Sequence, residues 1–325
     1  CRWLAESCAP ELTDDAARAG RLSKADLVSG LVGEFDTLQG IMGGIYAGRK
    51  GESKAVAEAL GEQYLPAGPD SPLPKSLAGA LLSMADKADT LAGCFGLGMI
   101  PTGAADPNGL RRCALGIIRI MLEFGLAVDV RQFFAKAQQL YGDRQWKLAP
   151  HDALDKLMDF FAARLRNYFM SQGQDTLLVD AALGAGAEDV KDCGARLAAL
   201  ATFSLAADYE AAVQTFKRVA NILRKQGQAE ELSDHWDPAL LREDAEKALA
   251  STLEEMLPRL DALWAAHDHA AALACLSAVR PAVDAFFPGV MVMCDDVELR
   301  RNRLSMLHCL GSRFARLADF SALQM

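Results

Sequence analysis

The chain has 325 residues, a formal net charge of −9, and a composition that is 51% hydrophobic and 24% charged, the balance of a folded globular protein. That length predicts two domains, with room for a third. The acidic balance excludes a broad, non-specific polyanion-binding surface but leaves space for a narrow basic stripe. On this reading no apolar run approaches the roughly 20 residues of a membrane span.

Apolar residues recur at helical spacing almost everywhere and strand-like alternation is nearly absent, so the expected fold class is all-α. The opening CRWLAESCAPELTDD lacks a basic region followed by an apolar one, and no signal peptide is expected. It starts at Cys1 in what reads as mid-helix, which suggests a piece of a longer protein. Residues 31–46, LVGEFDTLQGIMGGIY, look like an amphipathic helix yet carry Gly33, Gly40, Gly43 and Gly44. Each interior glycine costs a helix roughly 1 kcal/mol relative to alanine. Either the helix breaks here or a neighbour comes close to its backbone.

LPAGPDSPLP, with four prolines, cannot be helical. SLAGALLSMADKADTLAG, PNGLRRCALGIIRIMLEFG and ALDKLMDFFAARLRNYFMSQG each read as one helix. The second begins at Pro107 directly after Asp106, read as an N-cap followed by proline at the first helical position. Further helices are expected in VKDCGARLAALATFSL, YEAAVQTFKRVANILRKQG, residues 238–267 and VELRRNRLSMLHCLGSRFARLA. The last carries Leu304, Leu307, Gly311, Phe314 and Ala318 on one core-facing stripe. A softer break at LGAGAED divides the chain into a domain over 1–149, a connecting helical segment over 150–184 and a second domain over 185–325.

Catalytic motifs are absent: there is no GxxxxGK[ST], no HExxH and no GxSxG. The 8 cysteines include no CxxC pair, which gives a cysteine zinc site no support, and Cys94, Cys113, Cys275 and Cys309, in apolar helical contexts, read as small hydrophobes, as expected of a reducing, cytoplasmic compartment. None of the 5 histidines precedes His151. His267 and His269 flank Asp268, but an i,i+2 spacing on a helix points them to different sides, so they read as a solvated turn. The carboxylate pairs Asp14-Asp15, Glu254-Glu255 and Asp295-Asp296 read as caps or solvated faces. No catalytic residue and no metal ligand is assigned.

The blocks LVGEFDTLQGIMGGIYA, VAEALGEQYLP, ADKADTLAGCFGLGMIPTGAADPNGLRRCALGIIRI, FKRVANIL, FFPGVMVMCDDVELRRNRLSML and LADFSALQ resemble, in order, those of the bacterial glycyl-tRNA synthetase beta subunit. The resemblance runs over residues 23–324 and leaves out that subunit's N-terminal half. It implies an HD-like helical domain followed by a helical anticodon-binding domain of the DALR type, similar to that of arginyl-tRNA synthetase. It also implies glycine tRNA and an alpha subunit as partners, with the catalytic site on the alpha subunit. ATP and Mg are then used by the whole complex, this chain holds no cofactor, and neither DNA nor a membrane is a partner. In true HD hydrolases a His-Asp pair binds a divalent metal. The equivalent stretch here is Glu34-Phe35-Asp36, with Asp86 about where the final Asp would stand. Without histidines the metal set is gone, and carboxylates alone would hold a hard cation weakly. The glycines then serve close helix packing in preference to approach by an RNA backbone. The competing readings are a metal-dependent phosphohydrolase on the HD scaffold, or a structural scaffold for the alpha subunit.

RNA binding needs cations for phosphates and planar groups for unstacked bases. Arg111 and Arg112 lie near a helix start, where the macrodipole disfavours cations; Asp86, Asp89 or an RNA phosphate would have to compensate. Being adjacent they face different ways, one structural and one exposed, and Lys87 carries the same ambiguity. In the second domain Lys217, Asn221 and Arg224 share a stripe, with Arg218 beside it, and Arg300 and Arg303 form a second basic stripe. Phe286 and Phe287 read as core anchors that could otherwise stack bases.

Overall fold

A computed structural model describes residues 1–103, 106–226 and 231–323. The chain forms two compact units, Cys1–Tyr168 with Glu188–Lys191, and Phe169–Ala187 with Asp192–Met325. Among the described residues the sole β-pairing is an isolated antiparallel bridge between Asp129 and Asp189, so the fold is all-α. The segment 150–184 expected to connect the domains is shared between the units, which part after Tyr168.

The first unit contains α1 (Arg2–Cys8), α2 (Thr13–Leu22), α3 (Gly30–Glu34), α4 (Ile41–Arg49), α5 (Lys54–Glu62), α6 (Leu77–Gly96), α7 (Leu110–Glu123), α8 (Val130–Gln139) and the start of α9 (Pro150–Ser171). Helix α6 is its centre and packs against α5, α7 and α8. Its small residues, Ala78, Gly79, Ala80, Ala88 and Ala92, are buried, so neighbouring helices approach it from several sides. Ser76 caps it, its hydroxyl accepting from the Gly79 amide at 3.0 Å.

Residues 31–46 are not one helix. The chain leaves α3, makes a 3-10 turn at Asp36–Leu38 and enters α4 through Gly40, whose φ is +79°. Asp26, only 4% exposed, accepts from the amides of Gly40 (2.7 Å) and Gly43 (3.2 Å) through Oδ2. A Cβ on Gly44 would lie 2.6 Å from the Ala57 carbonyl of α5. Here, then, the helix breaks and a neighbour comes close, and that neighbour is a helix backbone.

The start of α7 also departs from expectation. Its N-cap is Gly109, and Pro107 lies outside the helix. Asp106 nevertheless accepts from the amides of Leu110 (2.8 Å) and Arg111 (2.9 Å), reaching the first helical residues from four and five positions away. This carboxylate is an anion at that helix end, while Asp86 pairs with Lys24 at 2.6 Å.

The second unit contains α10 (Thr176–Gly184), most of α11 (Val190–Phe203), α12 (Tyr209–Gln226), α13 (Asp244–Ala265), α14 (His269–Ser277), α15 (Arg280–Gly289) and α16 (Val297–Ala315). Gly227, the last residue of the expected α12 helix, lies outside the described residues. Helices α12 and α16 pack through Phe216 and Phe314, with ring centroids 4.1 Å apart, and Phe320 closes the cluster edge-on. The predicted core stripe of α16 is buried at Leu304, Leu307, Phe314 and Ala318. The long helix expected over 238–267 is instead a 3-10 turn (Pro238–Leu240) followed by α13. His269–Gly289 is, by length and composition, apolar enough to cross a membrane, which corrects the count made from sequence. It is divided into α14 and α15, and both pack on α13 with Leu273, Leu276, Val283 and Phe286 buried.

Candidate nucleic-acid interface

Helix α12 is amphipathic in the ordinary way: Val213, Phe216 and Val219 are buried on one side, while Arg218, Asn221, Arg224 and Lys225 are exposed on another. Thr215 donates to Asp284 of α15 at 2.9 Å. Three residues further along each helix, the Arg218 guanidinium lies over the Phe287 ring, 4.0 Å from its centroid. The same register thus sets both contacts. Phe286, the neighbouring ring, is fully buried, as a core anchor should be. One turn beyond Arg218, the Asn221 Oδ1 accepts from Arg224 at 2.9 Å. The result is a flat cationic plate on an aromatic ring beside an arginine–amide pair at the end of a helix, where the macrodipole favours cations.

The expected stripe is altered at Lys217. This residue is half-buried and its ammonium donates to the Leu323 carbonyl, because α12 packs there against the turn Phe320–Ala322. The exposed face therefore runs through Arg218 in place of Lys217.

Helix α16 behaves otherwise. Arg303 is 4% exposed, donates to the Met291 carbonyl at 2.8 Å and pairs with the fully buried Glu246. It faces the interior, which corrects its placement on an RNA-facing stripe. Arg300 is half-buried and donates to the Cys294 carbonyl at 2.9 Å. Residues 233–242 cover this part of α16: Asn302 exchanges two hydrogen bonds with Asp237, at 2.6 and 3.0 Å, and Ser305 accepts from the Ser233 amide at 3.3 Å.

In the first unit, Lys87 is 6% exposed and donates to Ser83 Oγ (2.7 Å) and the Leu65 carbonyl (3.2 Å). Burial pushes its ammonium below the usual lysine range. It too is interior, which corrects its assignment as an RNA contact. Arg111 is half-buried and donates to the Gly103 carbonyl, whereas Arg112 is exposed.

The reading of His267 and His269 as pointing apart is overturned. His267 has φ +54°, so the chain turns at this residue between α13 and α14. Both rings converge on Asp192: His269 Nε2 lies 2.8 Å and His267 Nδ1 3.6 Å from Oδ1. One further surface cation escaped the sequence, Arg316, which lies 4.5 Å from the centroid of Trp264. No spacing rule joins residues so far apart in the chain.

The second unit is thus an all-helical bundle that leaves Arg218, Asn221, Arg224 and Lys225 exposed along one helix face. Residues 213–319, which contain most of that face, match the DALR anticodon binding domain, and residues 1–184 match the glycyl-tRNA synthetase beta subunit family. The chain is 64% identical over 327 residues to the glycine–tRNA ligase beta subunit of Oleidesulfovibrio alaskensis, covering 100% of this chain and 47% of that protein. It is 65% identical over 333 residues to that of Nitratidesulfovibrio vulgaris strain Miyazaki F, with the same coverage. Against that of Shewanella pealeana it is 43% identical over 313 residues, 96% of this chain and 45% of the relative. The chain belongs to the glycyl-tRNA synthetase beta subunit family and spans about half the length of the curated relatives it matches.

Proposed function

We propose that this chain is a tRNA-binding part of a two-subunit glycine–tRNA ligase, with the α12 face of the second unit as its RNA contact. The observation that carries the reading is the Arg218 guanidinium over the Phe287 ring beside the Asn221–Arg224 pair, inside the segment that matches an anticodon-binding domain. Arg218, Arg224 and Lys225 supply phosphate contacts, which are independent of base sequence. Asn221 has both a donor and an acceptor for a base edge, and the Arg218 guanidinium presents its outer face to an unstacked base. Arg112, exposed on the first unit, is a second phosphate contact.

In this reading the alpha subunit carries the chemistry of glycine activation, with ATP and magnesium, and this chain alone neither activates glycine nor charges tRNA. The first unit serves as an HD-like scaffold, without phosphohydrolase chemistry. Its exposed apolar residues Val28, Phe35, Ile41 and Ile45 suit a protein partner, for which the alpha subunit is the candidate. A cytoplasmic location agrees with eight free cysteines.

A gel shift of the chain with glycine tRNA and with an anticodon-swapped tRNA, at two salt concentrations, tests the reading. The cognate should bind more tightly and both should weaken as salt rises. Equal binding of the two tRNAs at both salt concentrations would remove the anticodon role.

A further inference from the structure

We propose that Asp192, His267 and His269 form a binding site for one borderline divalent transition cation, Zn2+ being the best fit, in the second unit. One ligand atom from each residue lies within 4.8 Å of the others. Tetrahedral zinc with bonds of about 2.0–2.1 Å sets its ligand atoms about 3.3 Å apart. The Asp192 Oδ1 distances to His269 Nε2 and His267 Nδ1, 2.8 and 3.6 Å, bracket that spacing, and rotation of the exposed His267 ring would bring the two imidazole nitrogens, within 4.8 Å of each other, to the same spacing. Two imidazoles and one carboxylate select zinc and its neighbours over magnesium or calcium, which take all-oxygen sets.

Each ligand is held for a separate reason. Asp192 stands in the first turn of α11, and its Oδ2 accepts from Arg196 Nε at 2.7 Å. Arg196 is itself 3% exposed and donates to the carbonyls of Ala182, Gly186 and Leu317. This second layer turns Oδ1 toward the histidines, as the outer partners of metal-bound carboxylates do. His269 is 5% exposed, packed by Trp264, and sits at the first position of α14. A cation would take the place of the proton shared between its Nε2 and Oδ1, releasing that proton to solvent. His267 is mostly exposed, leaving the fourth position open to water.

The backbone at His267 is an independent indication. The Asp268 amide bonds to the Leu263 carbonyl (3.0 Å) and the His267 amide to Trp264 (3.1 Å), the pattern of a helix C-terminus closed by a left-handed residue. Glycine occupies that position without strain, and a histidine there carries a steric cost. The cost is met at the one place where the turn swings an imidazole onto Asp192.

The test is Co2+ titration of the dialysed chain without tRNA, followed by visible absorption, with Zn2+ displacing the signal. The expected result is one Co2+ per chain with a tetrahedral spectrum, and a melting temperature that rises with Zn2+. His267→Gly suits the left-handed backbone and should fold as well as the parent, yet lower cation affinity at least about tenfold and abolish the Zn2+-dependent shift. His308→Gln, beside Asp234 in the same unit, should change neither. Absence of stoichiometric Co2+, unchanged affinity in His267→Gly, or loss of binding in His308→Gln would each overturn the proposal.

Discussion

Helices α12 and α16 pack together, and each carries a polar run rich in arginine, FKRVANILRK in one and LRRNRLS in the other. Their fates differ. Along α12, Arg218, Asn221 and Arg224 remain at the surface. Along α16, Asn302, Arg303 and Ser305 are all under 10% exposed, because residues 233–242 lie over them and Glu246 reaches in from α13. A run of cations on a helix is therefore a statement about polarity, and what packs over it decides whether it meets solvent or serves the interior.

The largest test of this contrast is Arg303→Met. It strands the buried Glu246 carboxylate and should cost about 3–5 kcal/mol in urea unfolding, while tRNA affinity per folded molecule stays unchanged. A stable variant with weakened tRNA binding would reverse the roles given to the two helices.

Asn221→Ala is next. It should weaken the cognate complex by roughly 1–3 kcal/mol relative to an anticodon-swapped tRNA. Since Asn221 is exposed, unfolding should move by no more than about 0.5 kcal/mol. An earlier melt with an unchanged binding ratio would make it a structural amide.

Arg218→Ala should weaken both tRNAs alike and lower the salt slope by about one unit. Losing the contact with Phe287 should cost stability about 0.5–1 kcal/mol. Comparing slopes for Arg218→Ala and Lys217→Ala separates the exposed cation from the one tied to Leu323, whose replacement should leave the slope almost unchanged.

The smallest effect on RNA is expected from Lys87→Met, because this cation is inside the first unit. Its signature is in pH. Burial lowers the folded-state pKa below the ordinary 10.5. Between the two values the unfolded chain holds a proton that the folded chain lacks, so stability rises with pH up to about 10.5. Lys87→Met should flatten that rise in urea midpoints and leave tRNA binding as it was. A weakened complex at constant stability would bring Lys87 back to the surface.

The sequence by itself determined the helical class, the core stripe of α16 and the family, since apolar spacing and long shared blocks are properties of neighbouring residues. It also marked α12 as amphipathic, because a helix shows its polar side in local periodicity, but it set Lys217 on the exposed stripe where the structure has Arg218. Only the tertiary structure decided which cations reach solvent. Lys87, Arg303 and Lys217 found carbonyl or carboxylate partners from distant segments, and burial of a charge is settled by such partners. It likewise decided that residues 31–46 break, through the buried Asp26 and the backbone of α5. And it brought His267 and His269 together on Asp192, since one left-handed residue turns an i,i+2 spacing that diverges on a helix into one that converges.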